Sequence, residues 1–350
     1  MSGAAPHEQG PIARLPSGEH AIWLYALGYF LAYVPYGFLT KALSGGDDLP
    51  GVSGPIAGLA LLPVSTAVSA IGMLAFLGAS GLWRLAPRAR IGALSIPVPR
   101  RLTLLSGACT AAIVVTTTLA YTFEGTSIVA MMLMMRGGVL VIAPLVDLVS
   151  RRKVRWYSWV GLVLSALALA DALGAALQSS VAPLALLDVG IYLGAYFVRL
   201  RMMSRLAKGE ANANHRYFVE EQLVATPLAL LGIALLAFAI PSPVSATLAD
   251  GFTELPFTPA LGWVVLIGLF SQGTGIFGAL VLLDARENTF SVPVNRASSI
   301  LAGVLATVAL WLFLEGPAPD LGELAGAGLV VLAIVVLAAG PRIDRARARS

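Results

Sequence analysis

The stretch Thr126 to Trp156, TSIVAMMLMMRGGVLVIAPLVDLVSRRKVRW, combines three features that decide the fold. It is apolar over most of its length, it carries Arg136 near its middle, and it ends in the basic cluster Arg151, Arg152, Lys153 and Arg155. About 20 consecutive apolar residues cross a bilayer core of about 30 Å, and a basic cluster marks the end that stays in the cytoplasm. An arginine at membrane depth costs roughly 2.5 to 3.5 kcal/mol even on the lenient insertion scale, so it must face a partner or a wet cavity. Arg296 sits in a comparable apolar span, 289–314. The chain therefore reads as two related halves, each setting one cation near the middle of the membrane.

Composition agrees. Of 350 residues, 57% are hydrophobic and only 12% charged, with a mean hydropathy of +0.83, against about 25% charged in a soluble domain. The fold class that follows is an all-α polytopic membrane protein, because a barrel would show weakly alternating segments of about 10 residues and these runs are continuous and longer. The net charge of +4 is no sign of nucleic-acid binding; its placement carries the signal. Cys109, the one cysteine, lies in an apolar span and forms no internal disulfide. Residues 1–20 lack a charged start followed by an apolar run and a cleavage site, so no removable signal peptide is expected. Lysine appears only at 41, 153 and 208 among 23 basic residues, a bias of GC-rich bacterial genomes, so the expected location is a bacterial inner membrane.

Ten apolar spans are predicted, at about 21–43, 54–82, 102–121, 126–149, 156–174, 183–206, 217–240, 259–283, 289–314 and 321–340. Charge tests the number independently. With both termini cytoplasmic, the inner segments, together with the inner end of the sixth span that carries Arg199, Arg201 and Arg205, hold every basic residue except Lys41 and the mid-membrane Arg136 and Arg296. The outer segments hold Asp47, Asp48, Glu124, Asp250, Glu254, Glu315, Asp320 and Glu323. A wrong number of spans would scramble this alternation. The outer connection 175–182, ALQSSVAP, separates five spans (21–174) from five (183–340), flanked by tails 1–20 and 341–350. An odd number per half inserts the second half upside down relative to the first, as in many secondary transporters. A shift of 160 residues lays Arg136 on Arg296, and one further residue lays Gly161 on Gly322.

From Ser271 the residues run SQGTGIFGALVLLDARENTFSVPVNRASSILAGVLATVALWLFLEGPAPDLGELAGAGLVVLAIVVLA. They combine a Gly-rich eighth span, Pro293-x-x-Arg296 opening the ninth, Glu315 closing it, and Gly326 to Gly328 starting the tenth. This resembles the second half of the drug/metabolite transporter superfamily, which holds the EamA-type exporters and the nucleotide-sugar and triose-phosphate transporters. RGGVLVIAPLVDLVSRRKVRWYSWVGLVL in the first half resembles it too, although Ser150 and Arg151 stand where a glutamate usually closes the fourth span. The resemblance implies ten helices in two inverted repeats and solute transport, without naming the solute.

The residues suited to bind a solute lie on helical stripes. Arg136 shares a face with Asp147 about 16 Å along the axis, too far to pair. The face of Arg296 continues through Ser299, Gly303 and Thr307, small or polar throughout. Each arginine either faces a solute cavity, the preferred reading, or ties helices together through carbonyls or Glu220, Glu221 or Asp188. The first span aligns Tyr25, Tyr29, Tyr33, Tyr36 and Thr40; the sixth aligns Asp188, Tyr192, Ala195 and Arg199. Tyrosine offers a stacking face and a polar tip, and interfacial anchoring explains Tyr25 and Tyr36 equally well. Thr110, Thr117, Tyr121 and Glu124 align in the third span, where threonines more often bond their own backbone. Ser271 to Gly275 in the eighth reads as close helix packing in preference to an opened backbone. Glu220 and Glu221 are candidates to take a coupling proton, with snorkelling to the cytoplasmic surface or pairing to Arg205 or Arg216 as the preferred alternative. His7, His20 and His215 lie in tails or loops, leaving no histidine metal site in the membrane, and no GxxxxGK[ST] loop is present for nucleotide hydrolysis.

The function expected is a secondary transporter, not an enzyme, moving a small anionic solute by alternating access at a midplane site. Arg136 and Arg296 attract the anion, and Tyr29, Tyr33, Tyr192 and Thr307 shape the cavity. No cofactor or metal is expected, and the partners are the solute and the lipid bilayer, with no nucleic acid; the oligomeric state is left open. The alternative is a membrane-embedded transferase or flippase for lipid-linked substrates, with Asp47/Asp48 or Glu315/Asp320/Glu323 as thin catalytic candidates.

Overall fold

The computed structural model describes the chain outside residues 1–14, 19, 47–48, 53, 92–93, 120–127, 178–182, 209–212, 240, 315–317, 319–320 and 349–350. Asp47, Asp48, Tyr121, Glu124, Glu315, Asp320, most of the 175–182 connection and the side chain of Glu323 lie outside the described residues. The first half folds as α1 (Ala21–Gly45), α2 (Gly58–Ala79), α3 (Arg101–Leu119), α4 (Ile128–Val149) and α5 (Trp156–Leu177). The second folds as α6 (Pro183–Leu206), α7 (Ala213–Ala239), α8 (Pro243–Thr253), α9 (Leu261–Leu282), α10 (Asn288–Phe313) and α11 (Leu321–Arg347). The protein is thus a helical membrane protein: among the described residues, α1, α2, α6, α7, α9, α10 and residues 324–347 of α11 are each long and apolar enough to cross a bilayer. Large apolar side chains such as Ile71, Leu148, Leu187, Leu231 and Phe238 cover the outward faces, the arrangement a lipid solvent rewards.

Two elements are additions to the sequence reading. Between α2 and α3 the chain forms an antiparallel hairpin of β1 (Arg88–Ile91) and β2 (Leu94–Pro97), with Arg88 opposite Pro97 and the Arg88 guanidinium 4.6 Å from the Trp83 ring centroid. Between α7 and α9, in a segment read as an outer loop, lies α8. Ser242 and Ser245 cap it reciprocally at 2.8 and 3.0 Å, and Pro243 at its first position is preset for a helix start. Its 11 residues are too few to span.

Most of the closest helix neighbours are not sequential. α1 packs on α9 and α10, while α6 packs on α3 and α4. α2 lies against α9, α7 against α3, α4 against α5, α10 against α11, and α5 against α11. Close approach of α1 and α9 needs glycine on both sides: a Cβ at Gly28 would stand 2.7 Å from the Phe277 ring, and one at Gly278 would stand 3.0 Å from the Tyr29 ring. The glycine-rich stretch of α9 therefore packs, as a continuous helix.

At the arginine-rich end of the bundle, three helix starts are capped by carboxylates from other elements. The first N–H groups of a helix have no partner within it, and negative charge there also meets the helix dipole favourably. Asp147 of α4, fully buried, accepts from the backbone and side chains of Asn288 and Thr289 at 2.7 to 2.9 Å, capping α10. Glu287 accepts from the Arg155 N–H at 3.3 Å and the Ser158 hydroxyl at 2.7 Å, capping α5. Glu220 of α7 accepts from the Arg100 N–H at 3.0 Å and from the Thr103 hydroxyl, capping α3. Lys208, just past α6, donates to the Arg286 carbonyl and Asn288 Oδ1, both at 3.0 Å, and to Ser291 Oγ at 3.3 Å.

Asp147→Ala strands buried N–H donors at the start of α10 and is expected to cost roughly 3 kcal/mol, the scale of hydrogen bonds to a charged group, read as a lowered melting temperature in detergent. Lys208 supplies a pH test. Burial, aided by the Arg152 guanidinium, pushes its ammonium down to about 7, whereas the unfolded chain holds that proton up to about 10.4. Stability should therefore rise with pH between about 7 and 10, where the unfolded state binds the extra proton, and the melting curves of Lys208→Met should lack that part of the rise.

Candidate functional site

Two helices bring tyrosines to the middle of the bundle. On α1, Tyr29, Tyr33 and Tyr36 pack edge to face with successive ring centroids 5.5 Å apart. On α6, the centroids of Tyr192 and Tyr196 are 4.9 Å apart. Spacing of three or four residues puts successive rings on one helix face, and edge-to-face contact suits their quadrupoles.

Each tyrosine pair holds a guanidinium. Arg136 of α4 donates from Nη2 to the Tyr33 hydroxyl at 3.0 Å. Arg296 of α10 sits with Cζ 5.3 Å from the Tyr196 ring centroid, a cation–π distance. Arg296 is 8% exposed and its Nε has no hydrogen-bond partner. Among the described residues, the ion pairs involve neither arginine. The two cations lie within electrostatic range of one another, and both act on Tyr29 and Tyr192.

Beside them is a cavity of about 280 Å³. Arg296, Asn295, Tyr29 and Tyr196 form one part of its wall; Arg199, Gln222, Thr226 and Thr110 form another; Ser271 and Thr274 of α9 and Thr66 and Ser69 of α2 complete the polar lining. Of the residues expected at the site, Arg296 and Tyr29 line this cavity, Tyr33 and Tyr192 stand next to residues that do, and Arg136 is one step further, bonded to Tyr33. Thr307 is not brought there. Its hydroxyl accepts from Lys41 Nζ at 2.8 Å, three turns along α10 from Arg296.

Glu220 and Glu221 are fully buried and both are engaged. Glu220 meets Arg100 Nε at 3.1 Å in addition to the start of α3, with Arg216 at 4.0 Å. Glu221 takes both Arg199 Nε at 2.9 Å and Nη2 at 3.0 Å. It also accepts from Ser106 at 2.7 Å and Thr110 at 3.1 Å, and Tyr217 in turn donates to Ser106. Asp188, 4% exposed, has no partner at either oxygen.

Tyr196, Asn295 and Thr226 line the cavity without being singled out by the sequence, and Glu221, expected as a proton carrier, is the partner of Arg199. A signal for Tyr196 exists: Tyr29-Phe-Leu-Ala-Tyr33 and Tyr192-Leu-Gly-Ala-Tyr196 share their first, fourth and fifth residues. A shift that superposes the arginines leaves these runs out of register, because the segments between helices differ in length.

Neither a protein-family profile nor a curated protein matches the sequence. Among solved structures, a crystal structure of a protein matches 90% of this chain over 96% of its own, at a TM-score of 0.58 and 14% identity. At that identity the likeness is one of fold.

Removing one member of the buried Arg199–Glu221 pair leaves an uncompensated charge, so Glu221→Gln is expected to destabilise by roughly 3 to 5 kcal/mol. Replacing both with apolar residues, Arg199→Met with Glu221→Leu, should recover most of that loss in the same thermal unfolding assay.

Proposed function

We propose that the protein is a secondary transporter of the drug/metabolite type, carrying a small anionic solute by alternating access about the central cavity. The observation that carries the reading is the pair of guanidinium groups inside the bundle, Arg296 buried and Arg136 partly so, each met by a tyrosine run and, among the described residues, by no carboxylate at ion-pair distance. A structural arginine at this depth is ordinarily matched by a carboxylate, as Arg199 is by Glu221. Two unmatched cations around a polar cavity have anion-binding capacity to spare.

In this reading the ten long helices all cross the membrane, as inverted repeats 21–174 and 183–340, with both termini in the cytoplasm of a bacterial cell. The helix neighbours support it, because with α8 set aside they exchange between halves. α1 on α9 and α10 has its counterpart in α6 on α3 and α4; α2 on α9 in α7 on α3; α4 on α5 in α10 on α11. Arg136 with Tyr33 has its counterpart in Arg296 with Tyr196. Sites at the interface of such repeats near the bilayer midplane are where transporters of this architecture bind. The resemblance to the drug/metabolite superfamily, seen in Pro293-x-x-Arg296 and Gly326 to Gly328, points the same way.

Purified protein in liposomes should take up or exchange an anionic solute, and Arg136→Gln or Arg296→Gln should each abolish that flux while the variant still purifies folded from the membrane. Unchanged flux in Arg136→Gln would remove that residue from the site; unchanged flux in both would end the anion reading.

A further inference from the structure

The charges around the central cavity do not add up to a site for a doubly charged group. Two charged side chains line it among the described residues, Arg199 and Arg296. Arg199 is neutralised by Glu221 through two bonds at 2.9 and 3.0 Å. Arg136 adds positive potential, but it does not line the cavity, and its Nη2 is turned to the Tyr33 hydroxyl. One guanidinium remains on the wall, nine-tenths buried, with its Nε unpartnered. A planar guanidinium matches one planar carboxylate, whereas a phosphate dianion calls for more than one cation at contact.

The same wall holds no unopposed carboxylate among the described residues, so an ammonium has no counter-charge there and meets the repulsion of Arg136 and Arg296. The remaining polar groups are neutral amides and hydroxyls, among them Gln222, Asn295, Thr226, Ser271 and Thr274. Such groups bond alcohols and carbonyls without demanding charge. A volume of about 280 Å³ falls just short of the roughly 300 to 1,000 Å³ that holds a drug-sized ligand, which leaves out a nucleotide-sugar.

We infer that the solute is a small, hydroxylated monocarboxylate of sugar-acid type, its carboxylate on Arg296 and its hydroxyls on the amide and hydroxyl groups opposite. This rests on the transport reading above and narrows it. The test is counterflow into phosphatidylethanolamine–phosphatidylglycerol vesicles holding the full chain, with labelled gluconate, glucose, glucose 6-phosphate, phenylalanine and UDP-glucose offered in parallel. Gluconate should exchange, and the others should neither exchange nor compete. Arg296→Lys should raise its half-saturation by roughly 10- to 100-fold, the equivalent of a lost charge-assisted hydrogen bond, and Thr274→Val should raise it less. Exchange of glucose 6-phosphate or UDP-glucose in place of gluconate would overturn the inference and leave the anion transporter standing, whereas exchange of phenylalanine, a net-neutral zwitterion, would overturn the anionic solute as well. Glucose alone exchanging would overturn the inference and the anionic solute together. No exchange of any of the five by protein that is folded and oriented in the vesicles would count against both.

Discussion

A charge that leaves water must be met by something, and in this protein the way each buried ion is met separates scaffold from site. Born-type desolvation of an isolated ion is costly enough that buried ions are paired, or left where a ligand or water completes them. Arg199 and Glu221 satisfy each other, with Ser106 and Thr110 filling the remaining acceptor capacity. Arg136 and Arg296 are met by aromatic rings and a phenolic oxygen, partners that soften a positive charge without cancelling it. The proposed function grows from that contrast.

A second use of charge organises the arginine-rich end. Asp147, Glu287 and Glu220 each start a helix that is not their own, so α4 is tied to α10, the α9–α10 junction to α5, and α7 to α3. A bundle whose outer faces are greasy gains little from hydrophobic sorting between helices, since lipid is as apolar as leucine. Directional bonds at helix ends then specify which helix sits beside which. The polar residues of the membrane segments, few in number, settle neighbours that the apolar majority leaves undecided.

Much of this was legible in the sequence, and what was not has physical reasons. Each predicted apolar span contains or falls on a helix, because length and hydropathy measure what a bilayer demands of a segment. α8 and the β1–β2 hairpin escaped because both lie in connections, where capping and turn chemistry act over a few residues and hydropathy is mute. Arg136, Arg296, Tyr29 and Tyr33 could be read as a constellation from their depth and spacing. Thr307 could not be separated from them, because sharing a helix face says nothing of how far along the axis a cavity extends. The partners of Glu220 and Glu221 were hidden for a different reason: adjacent residues on a helix point about 100° apart, so Glu220 reaches the start of α3 while Glu221 lies between the middle of α3 and α6, and no local rule joins either to Arg100 or Arg199.

The glycine contacts between α1 and α9 work as a key in a lock on both sides, the Phe277 ring in the notch at Gly28 and the Tyr29 ring in the notch at Gly278. A side chain larger than hydrogen at either position would drive the two helices apart, so where the Tyr29 ring stands on the cavity wall depends on two hydrogen atoms where side chains would otherwise be.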